Sequence, residues 1–200
     1  MHIQLHRFLP SSIAEGPGKR ASVWVQGCPI HCKGCGVPWT WNPRLGTPSD
    51  VDTIWEKILE SKEKNDIEGI TFLGGEPFEQ AESLAILAER AQNIGLSIMT
   101  FSGYYYEELE KLDKPGWKEL LAHTDIFLEG PFELDKPDYI RPWIGSTNQI
   151  IHFLTDRYIN LKEELDKIPD RLEIYIKKDG TVEANGMIPS ESWKQMFNGI

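Results

Sequence analysis

Hydrophobic positions along this chain fall alternately into strand-like runs and helix-like stripes. Short apolar runs indicate buried strands, and apolar residues three and four positions apart indicate amphipathic helices. Strands are predicted at residues 2–8, 21–26, 69–73, 96–101, 125–130 and 150–154. Helices are predicted at 49–64, 79–94, 106–112, 117–123 and 161–168. Because strands and helices alternate, the pattern predicts an α/β fold in which helices return the chain for parallel strands.

The two ends of the chain have weaker or different patterns. Residues 2–8 show the weak alternation of an edge strand. Residues 172–177 and 181–184 alternate around Lys178-Asp179-Gly180, which predicts a β-hairpin. The whole pattern predicts a partial, open (β/α) barrel with a C-terminal β-hairpin and with active-site loops at the carboxyl ends of the parallel strands. The 200 residues are expected to form one domain, with a core at about 20–155 and an appendage at about 156–200.

All three cysteines of the chain lie in one short segment, as Cys28, Cys32 and Cys35. This C-x3-C-x2-C spacing lets three thiolates converge if the loop closes tightly, and glycine and proline within the segment allow such a loop. Structural zinc needs four ligands, and an ordinary 4Fe-4S cluster takes four cysteines, so three thiolates leave one position open. An open position is what a catalytic metal centre needs.

Other interpretations of the cysteines remain open. Zinc could take His31, His2 or His6 as a fourth ligand, although His31 adjoins Cys32 and would tend to point away from the site. Three unrelated buried cysteines are a further alternative. A disulfide fits poorly, because the number of cysteines is odd and the spacings are short.

Composition and charge exclude several classes of function. The chain has 21 Lys and Arg against 31 Asp and Glu, a net charge of -10, which is the wrong sign for a general nucleic-acid binder. No apolar run approaches the roughly 18 residues that cross a bilayer, and the N-terminus lacks a signal-peptide pattern. A cytoplasmic protein is expected, with its thiols reduced and no membrane partner.

At the cysteines the sequence resembles the radical S-adenosylmethionine superfamily. In that family such a loop binds a 4Fe-4S cluster through three irons, and the fourth iron chelates the methionine part of S-adenosylmethionine. Glycine before the last cysteine, here Gly34, is similar to the activating proteins of the anaerobic ribonucleoside-triphosphate reductases. The resemblance implies that Cys28, Cys32 and Cys35 are the metal ligands and catalytic residues, with Gly34 and Gly36 beside the cofactor.

Further segments carry the same resemblance. Gly74-Gly75-Glu76-Pro77 follows a buried strand and resembles the family loop whose backbone receives the ammonium group of the cofactor. A side chain at Gly75 is therefore expected to block the cofactor while leaving the cluster assembled. Ser102, in Ser102-Gly103-Tyr104, is expected to border the cofactor, and Glu129 to contact its ribose, although many relatives carry aspartate at that position.

The segment Gly145-Ser146-Thr147-Asn148-Gln149 resembles a Gly-Ser-Ser-Asn-Gln segment of the reductase activators, which implies a site role for Asn148. By contrast, Val37 stands where the family often has asparagine. Trp39 and Trp41 either shield the cluster or pack a loop on the core.

The function that the resemblance implies is reductive cleavage of S-adenosylmethionine, followed by abstraction of hydrogen from a glycine of the large anaerobic reductase. A flavodoxin or ferredoxin-type protein would donate the electron, and a basic rim of Lys19, Arg20 and Lys33 is expected to dock it. Two alternatives remain: a radical enzyme acting on a small molecule or another protein, and a non-catalytic metal-binding or electron-transfer protein. Neither alternative explains all the motifs equally well.

Overall fold

The computed structural model describes residues 1–169 and 171–186, and the remainder of the predicted appendage lies outside the described residues. The strands are β1 (His2–Ser12), β2 (Arg20–Val25), β3 (Thr47–Asp50), β4 (Gly69–Gly74), β5 (Ser97–Phe101), β6 (Ile126–Glu129), β7 (Ile150–Phe153), β8 (Leu172–Ile176) and β9 (Val182–Gly186). The helices are α1 (Val51–Asn65), α2 (Ala81–Asn93), α3 (Tyr106–Lys111) and α4 (Trp117–Ala122).

Seven of the strands form one open sheet in the order β3-β1-β2-β4-β5-β6-β7. Its centre is parallel, because β2, β4, β5 and β6 pair in register with the same direction. The outer strands are antiparallel: β1 pairs with β2 and β3 on one side, and β7 pairs with β6 on the other. The carboxyl ends of the four central strands therefore meet at one edge of the sheet.

One face of the sheet is covered by helices. Ala21, Val23 and Val25 alternate along β2 and join a core that also includes apolar residues of α1, α2 and α4. Trp117 of α4 is 2% exposed, and its indole nitrogen donates to the carbonyl of Phe78 at 2.8 Å. This contact fixes α4 against the segment that follows β4.

The opposite face of the sheet carries a buried charge. Arg20 points to that face and is 0% exposed. Its guanidinium donates to Thr71 Oγ1 at 2.8 Å, to Ser97 Oγ at 2.8 Å and to the Ile70 carbonyl at 2.7 Å. Arg20 therefore ties together β2, β4 and β5, and the predicted role of Arg20 in an exposed basic rim is wrong.

Lys19 and Lys33 also do not form the predicted basic rim, because they lie far apart. Lys19 precedes β2 and donates to the Asn65 carbonyl at 2.8 Å, whereas Lys33 follows β2 at the other end of the strand. The two lysines flank opposite ends of a six-residue strand, so they cannot border the same metal centre.

The hairpin of β8 and β9 packs beside β1 and is joined to it through polar side chains. Ser12 Oγ donates to Glu173 at 2.5 Å, and Arg7 donates to Asn185 Oδ1 at 2.6 Å. Asn185 also donates to Ser12 Oγ at 3.0 Å. The remaining face of the hairpin exposes apolar residues, including Ile176, which is 76% exposed.

The predicted α/β fold and its C-terminal hairpin are confirmed. Three local predictions are wrong. The first strand is not an edge strand, because β3, whose residues Thr-Pro-Ser-Asp have no apolar alternation, pairs outside it. The helix predicted at 161–168 is instead two 3-10 segments, Asp156–Glu163 and Leu165–Lys167. The segment Ser49-Asp50-Val51-Asp52 also predicts a capping box at the start of α1, but the Asp50 N-cap makes no side-chain hydrogen bond, so the box does not form.

None of the described helices combines the length and apolar character that crossing a membrane requires.

The buried guanidinium allows a test of the sheet's stability. Arg20→Ala should lower the free energy of unfolding by about 3 kcal/mol or more, because a cavity forms and several buried acceptors lose their donor. Lys19→Ala is the control at the adjacent residue. It removes one exposed contact and should change the free energy of unfolding by less than about 0.5 kcal/mol. Urea unfolding of both variants measures the difference, and similar losses would contradict the structural role given to Arg20.

Candidate metal centre

The cysteine segment begins at the carboxyl end of β2 and is closed by the chain that follows it. The backbone N–H of Gly27 donates to the Thr40 carbonyl at 2.7 Å, and that of Cys28 donates to the Trp41 carbonyl at 3.0 Å. Thr40 is buried, and its hydroxyl donates to the Val37 carbonyl at 2.8 Å. Residues 28–39 therefore form a loop with its two ends held together at the sheet edge.

A tight turn inside this loop connects the last two cysteines. The Cys35 N–H donates to the Cys32 carbonyl at 3.1 Å, and Gly34 between them has a φ of 82°, a left-handed conformation that favours glycine. A side chain at Gly34 would meet Leu134 at 2.9 Å. The glycine that carries part of the family resemblance is therefore needed for the turn and for its contact with residues after β6.

The three cysteines are free and half-buried. Burial raises the pKa of the Cys28 and Cys32 thiols. Backbone hydrogen bonds lower these pKa values to a smaller extent, from His31 to Cys28 and from Phe132 to Cys32. Within residues 1–169 and 171–186, no group of three His, Cys, Asp or Glu side chains is gathered around the position of a single metal ion. In a cluster each thiolate binds a different iron, so the thiolates need not surround one atom as they would for zinc.

His31 was considered as a fourth zinc ligand, and its ring has another partner. It stacks on Trp41 with ring centroids 4.6 Å apart and planes 24° apart. The His31 backbone has a φ of 53°, so the residue turns the chain before Cys32. Trp41 thus packs under the loop through His31, while Trp39 remains 58% exposed.

Gln26 anchors the loop, and the sequence analysis did not identify this role. It is 1% exposed, and its amide nitrogen donates to the carbonyls of Trp39 at 2.8 Å and Asn42 at 2.9 Å. Gln80, after β4, donates in turn to the Gln26 carbonyl at 3.0 Å. A buried amide at the end of an apolar strand, directly before Gly27 and Cys28, is the sequence signal that could have indicated this role.

The Gly74-Gly75-Glu76-Pro77 loop lies against the cysteine loop through backbone contacts. The Gly75 N–H donates to the Val25 carbonyl, and the Glu76 N–H donates to the Gly27 carbonyl, both at 2.8 Å. A side chain at Gly75 would meet the Gly27 carbonyl oxygen at 2.3 Å. The two predicted cofactor segments are therefore joined directly, one residue before the first cysteine.

This contact corrects the reason given for Gly75. The absence of a side chain there is required for packing on Gly27, so a substitution is expected to move the cysteine loop as well as the cofactor loop. Pro77 is buried and begins a 3-10 turn, Pro77–Gln80, which fixes the direction of the chain after the glycines.

Glu76 is a buried carboxylate that holds three loops in place. One oxygen accepts from Ser102 Oγ at 2.9 Å and from the Phe78 N–H at 3.0 Å, and the other accepts from the Gly103 N–H at 2.9 Å. Burial raises the pKa of Glu76 to about 7, and these donors act against that shift. Ser102 is thus placed beside the Gly74–Pro77 loop, and its position at the cofactor stays a prediction.

Gly103 connects this group back to the cysteines. A side chain at Gly103 would meet Ile30 Cδ1 at 2.5 Å, so the end of β5 touches the middle of the cysteine loop. The carboxyl ends of β2, β4 and β5 consequently supply one continuous set of loops.

Glu129, at the carboxyl end of β6, contacts α3 and His152. Its carboxylate accepts from the Tyr106 N–H at 2.5 Å, at the start of α3, and lies 3.2 Å from His152 Nε2. It shares a face of β6 with Phe127, which belongs to the core against the helices. The structure gives Glu129 a contact with the start of α3, and its contact with a ribose stays a prediction.

The segment at residues 145–149 is hydrogen-bonded to the residues that follow β6. Gln149 donates to the Gly130 carbonyl at 2.9 Å, and Asn148 Nδ2 donates to the Pro131 carbonyl at 2.8 Å. Asn148 Oδ1 is buried and has no hydrogen-bond partner among the described residues. Such an atom is suited to accept a hydrogen bond from a donor on a bound molecule.

Gly36 has open space around it, with no atom within 4 Å of an added side chain.

The α/β fold and the three-cysteine loop indicate an iron–sulfur protein, and comparison with known proteins agrees with this class. A family model described as a 4Fe-4S single cluster domain matches residues 14–152. The chain therefore belongs to the family of 4Fe-4S single cluster domains.

Particular relatives share a single name. The anaerobic ribonucleoside-triphosphate reductase-activating protein of Enterobacteria phage T4 is 30% identical over 75% of this chain and 94% of the relative. The protein of that name from Pasteurella multocida is 31% identical over 74% of this chain and 96% of the relative. These matches confirm the predicted family and the prediction of an enzyme of this iron–sulfur class. Among solved structures, QueE from Escherichia coli aligns with 52% of this chain and 53% of its own, at 16% identity and a TM-score of 0.41.

The contact between the two loops leads to a prediction. Gly75→Ala should lower the free energy of unfolding of the metal-free protein by about 1–3 kcal/mol, because the new methyl group overlaps the Gly27 carbonyl. It should also reduce the iron and sulfide retained after anaerobic reconstitution. Gly36→Ala is the control for stability and should change the unfolding free energy by less than about 0.5 kcal/mol. A stable Gly75→Ala protein with full iron content would show that the loops are not mechanically linked.

Proposed function

We propose that this protein is an activating enzyme that holds a 4Fe-4S cluster through Cys28, Cys32 and Cys35, cleaves S-adenosylmethionine and generates a glycyl radical on an anaerobic ribonucleotide reductase. Two kinds of support exist for the proposal. The relatives named as activating proteins of such a reductase match almost their whole length. The observation that carries it is the junction of the cysteine loop and the Gly74–Pro77 loop at Gly27, Gly75 and Glu76.

The residues at this junction fit the two groups that the proposal requires. Three thiols on one closed loop offer three ligands to a cluster and leave one iron open to a further ligand. Gly74 and Gly75 pack on the backbone of Val25 and Gly27, which brings their loop beside the cysteine loop, and Asn148 supplies a buried acceptor without a donor among the described residues. Cys28 and Cys32 must lose their protons on cluster assembly, and burial, which raises the pKa of both thiols, makes this loss unfavourable without metal.

When bound beside the cluster, S-adenosylmethionine would supply the radical chemistry: one electron from the cluster would cleave it, and hydrogen taken from the glycine Cα would leave methionine and 5'-deoxyadenosine as products. The chain's own residues hold this arrangement. Glu76 fixes the cofactor loop to Ser102 and Gly103, and Gln26 fixes the cysteine loop to residues 39–42. Loops held from several sides keep the reacting groups in place without rearrangement.

A protein substrate fits the surface beside the cysteine loop. Leu134 touches the turn at Gly34, and it begins a segment after β6 that exposes three large apolar side chains among charged ones. Leu134 is 54% exposed, Tyr139 67% and Ile140 73%. We propose that the reductase contacts this stretch and inserts its glycine loop from that side, which would complete the active site. Exposed apolar residues of this kind are typical of interaction surfaces.

The proposal also includes an electron donor and a cellular compartment. The electron is proposed to come from a flavodoxin or ferredoxin-type protein. The proposed compartment is the cytoplasm, because free thiols and an iron–sulfur cluster need reducing conditions.

The function is tested by mixing reconstituted protein, reductase, S-adenosylmethionine and dithionite without oxygen. A glycyl radical should appear on the reductase by electron paramagnetic resonance, together with 5'-deoxyadenosine. Cys32→Ala should abolish both, because no other cysteine in the chain can replace the ligand. Ile140→Ser should lower the radical yield at limiting reductase, whereas Ile176→Ser, at an equally exposed position on the hairpin, should not.

Three results would count against the proposal. Rapid turnover of a metabolite without any protein partner would favour a small-molecule radical enzyme. Stable binding of one zinc with no iron–sulfur absorbance would remove the cluster. A bound cluster without any 5'-deoxyadenosine would favour an electron-transfer protein.

A further inference from the structure

A second exposed surface adjoins the cysteine loop at residues other than Gly34. We call it the aromatic patch and define it as His31, Trp39, Trp41, Pro43 and Leu45, which line a shallow groove. Trp39 is 58% exposed and Leu45 is 69% exposed. No residue of the patch belongs to the loops at 74–77, 102–104 or 145–149, so the patch is built from other residues than those proposed to hold the cofactor.

The patch is directly connected to the predicted cluster ligands. His31 immediately precedes Cys32 and stacks on Trp41, and the Trp41 carbonyl accepts from the Cys28 N–H at 3.0 Å. Pro43 packs against Gly27, where an added side chain would meet Pro43 Cβ at 3.0 Å. A molecule seated on the patch would therefore be separated from the cysteines by a single layer of side chains and backbone.

The charge around the patch is opposite to that of the whole chain. Residues 26–49 contain Lys33 and Arg44 and no aspartate or glutamate, although the chain has a net charge of -10. Lys33 and Arg44 are exposed, and neither forms an ion pair with any residue in the described ranges. An exposed aromatic surface with local positive charge fits a negatively charged protein partner.

We propose that the aromatic patch is the docking surface for an acidic one-electron carrier protein. This inference rests on the proposed function, because it assumes a cluster that must be reduced. The patch touches the cysteine loop at Gly27 and His31, whereas Leu134 of the segment Leu134–Ile140 touches it at Gly34. The carrier and the protein substrate would then contact the enzyme at separate surfaces. Positive charge beside the patch would speed the encounter, and the apolar residues would hold the complex.

The test measures reduction of the reconstituted cluster by stopped-flow absorbance, with reduced flavodoxin as the probe and dithionite as the reference. Arg44→Glu should slow reduction by flavodoxin about 10-fold at low ionic strength, and the difference should shrink as salt is added. Leu45→Ser should slow it at all salt concentrations. Lys178→Glu and Ile176→Ser, which change charge and apolar surface on the exposed hairpin, are the matched controls and should leave the rate unchanged.

Reduction by dithionite should be equal in all five proteins, which shows that each variant still folds and carries its cluster. The inference is overturned if flavodoxin does not reduce the parent protein, or if Arg44→Glu and Lys178→Glu have the same effect. It is also overturned if the patch variants lose the glycyl radical with dithionite as reductant, since the reductase would then occupy the patch. Failure of the proposed function appears separately, as a reduced cluster without 5'-deoxyadenosine.

Discussion

The loops of the site depend on one close approach between two backbones. Gly75 lies against Gly27 with no room for a side chain, and the Glu76 N–H donates to the Gly27 carbonyl. This approach is possible because β2 and β4 are parallel neighbours whose carboxyl ends meet at the same sheet edge. The cysteine loop and the proposed cofactor loop are thus positioned by each other, and the distance between a bound cluster and a bound cofactor would be set by backbone.

The buried side chains around this junction extend its rigidity to the rest of the sheet edge. Glu76 binds the end of β5 through Ser102 and Gly103, and Gln26 binds the residues that close the cysteine loop. Deeper in the molecule, Arg20 joins the opposite ends of β2, β4 and β5. The strands are therefore fixed at both ends, while Trp39 and Ile140 remain exposed to other molecules.

Local patterns in the sequence predicted most of the elements but not the relations between them. The strands with continuous apolar runs were found because their residues are buried on both faces, and the hairpin because Lys178-Asp179-Gly180 forms a turn. The strand β3 was missed because Thr47–Asp50 is stabilised by pairing with β1 and has no apolar alternation. Arg20 was placed in an exposed rim because its burial depends on partners 51 and 77 positions away. The sequence around Gly75 resembles a cofactor-binding motif, and that resemblance predicts a ligand contact. The packing of Gly75 on Gly27 is visible only in the folded structure.

The central claim is that three cysteines leave one iron of a cluster open beside the Gly74–Gly75 loop. The most direct measurement is electron-nuclear double resonance of the reduced, reconstituted protein with S-adenosylmethionine labelled in its amino nitrogen and carboxylate oxygen. Direct binding to the open iron predicts hyperfine coupling from both labels to the cluster. An intact reduced cluster that shows neither coupling at saturating cofactor would contradict the account.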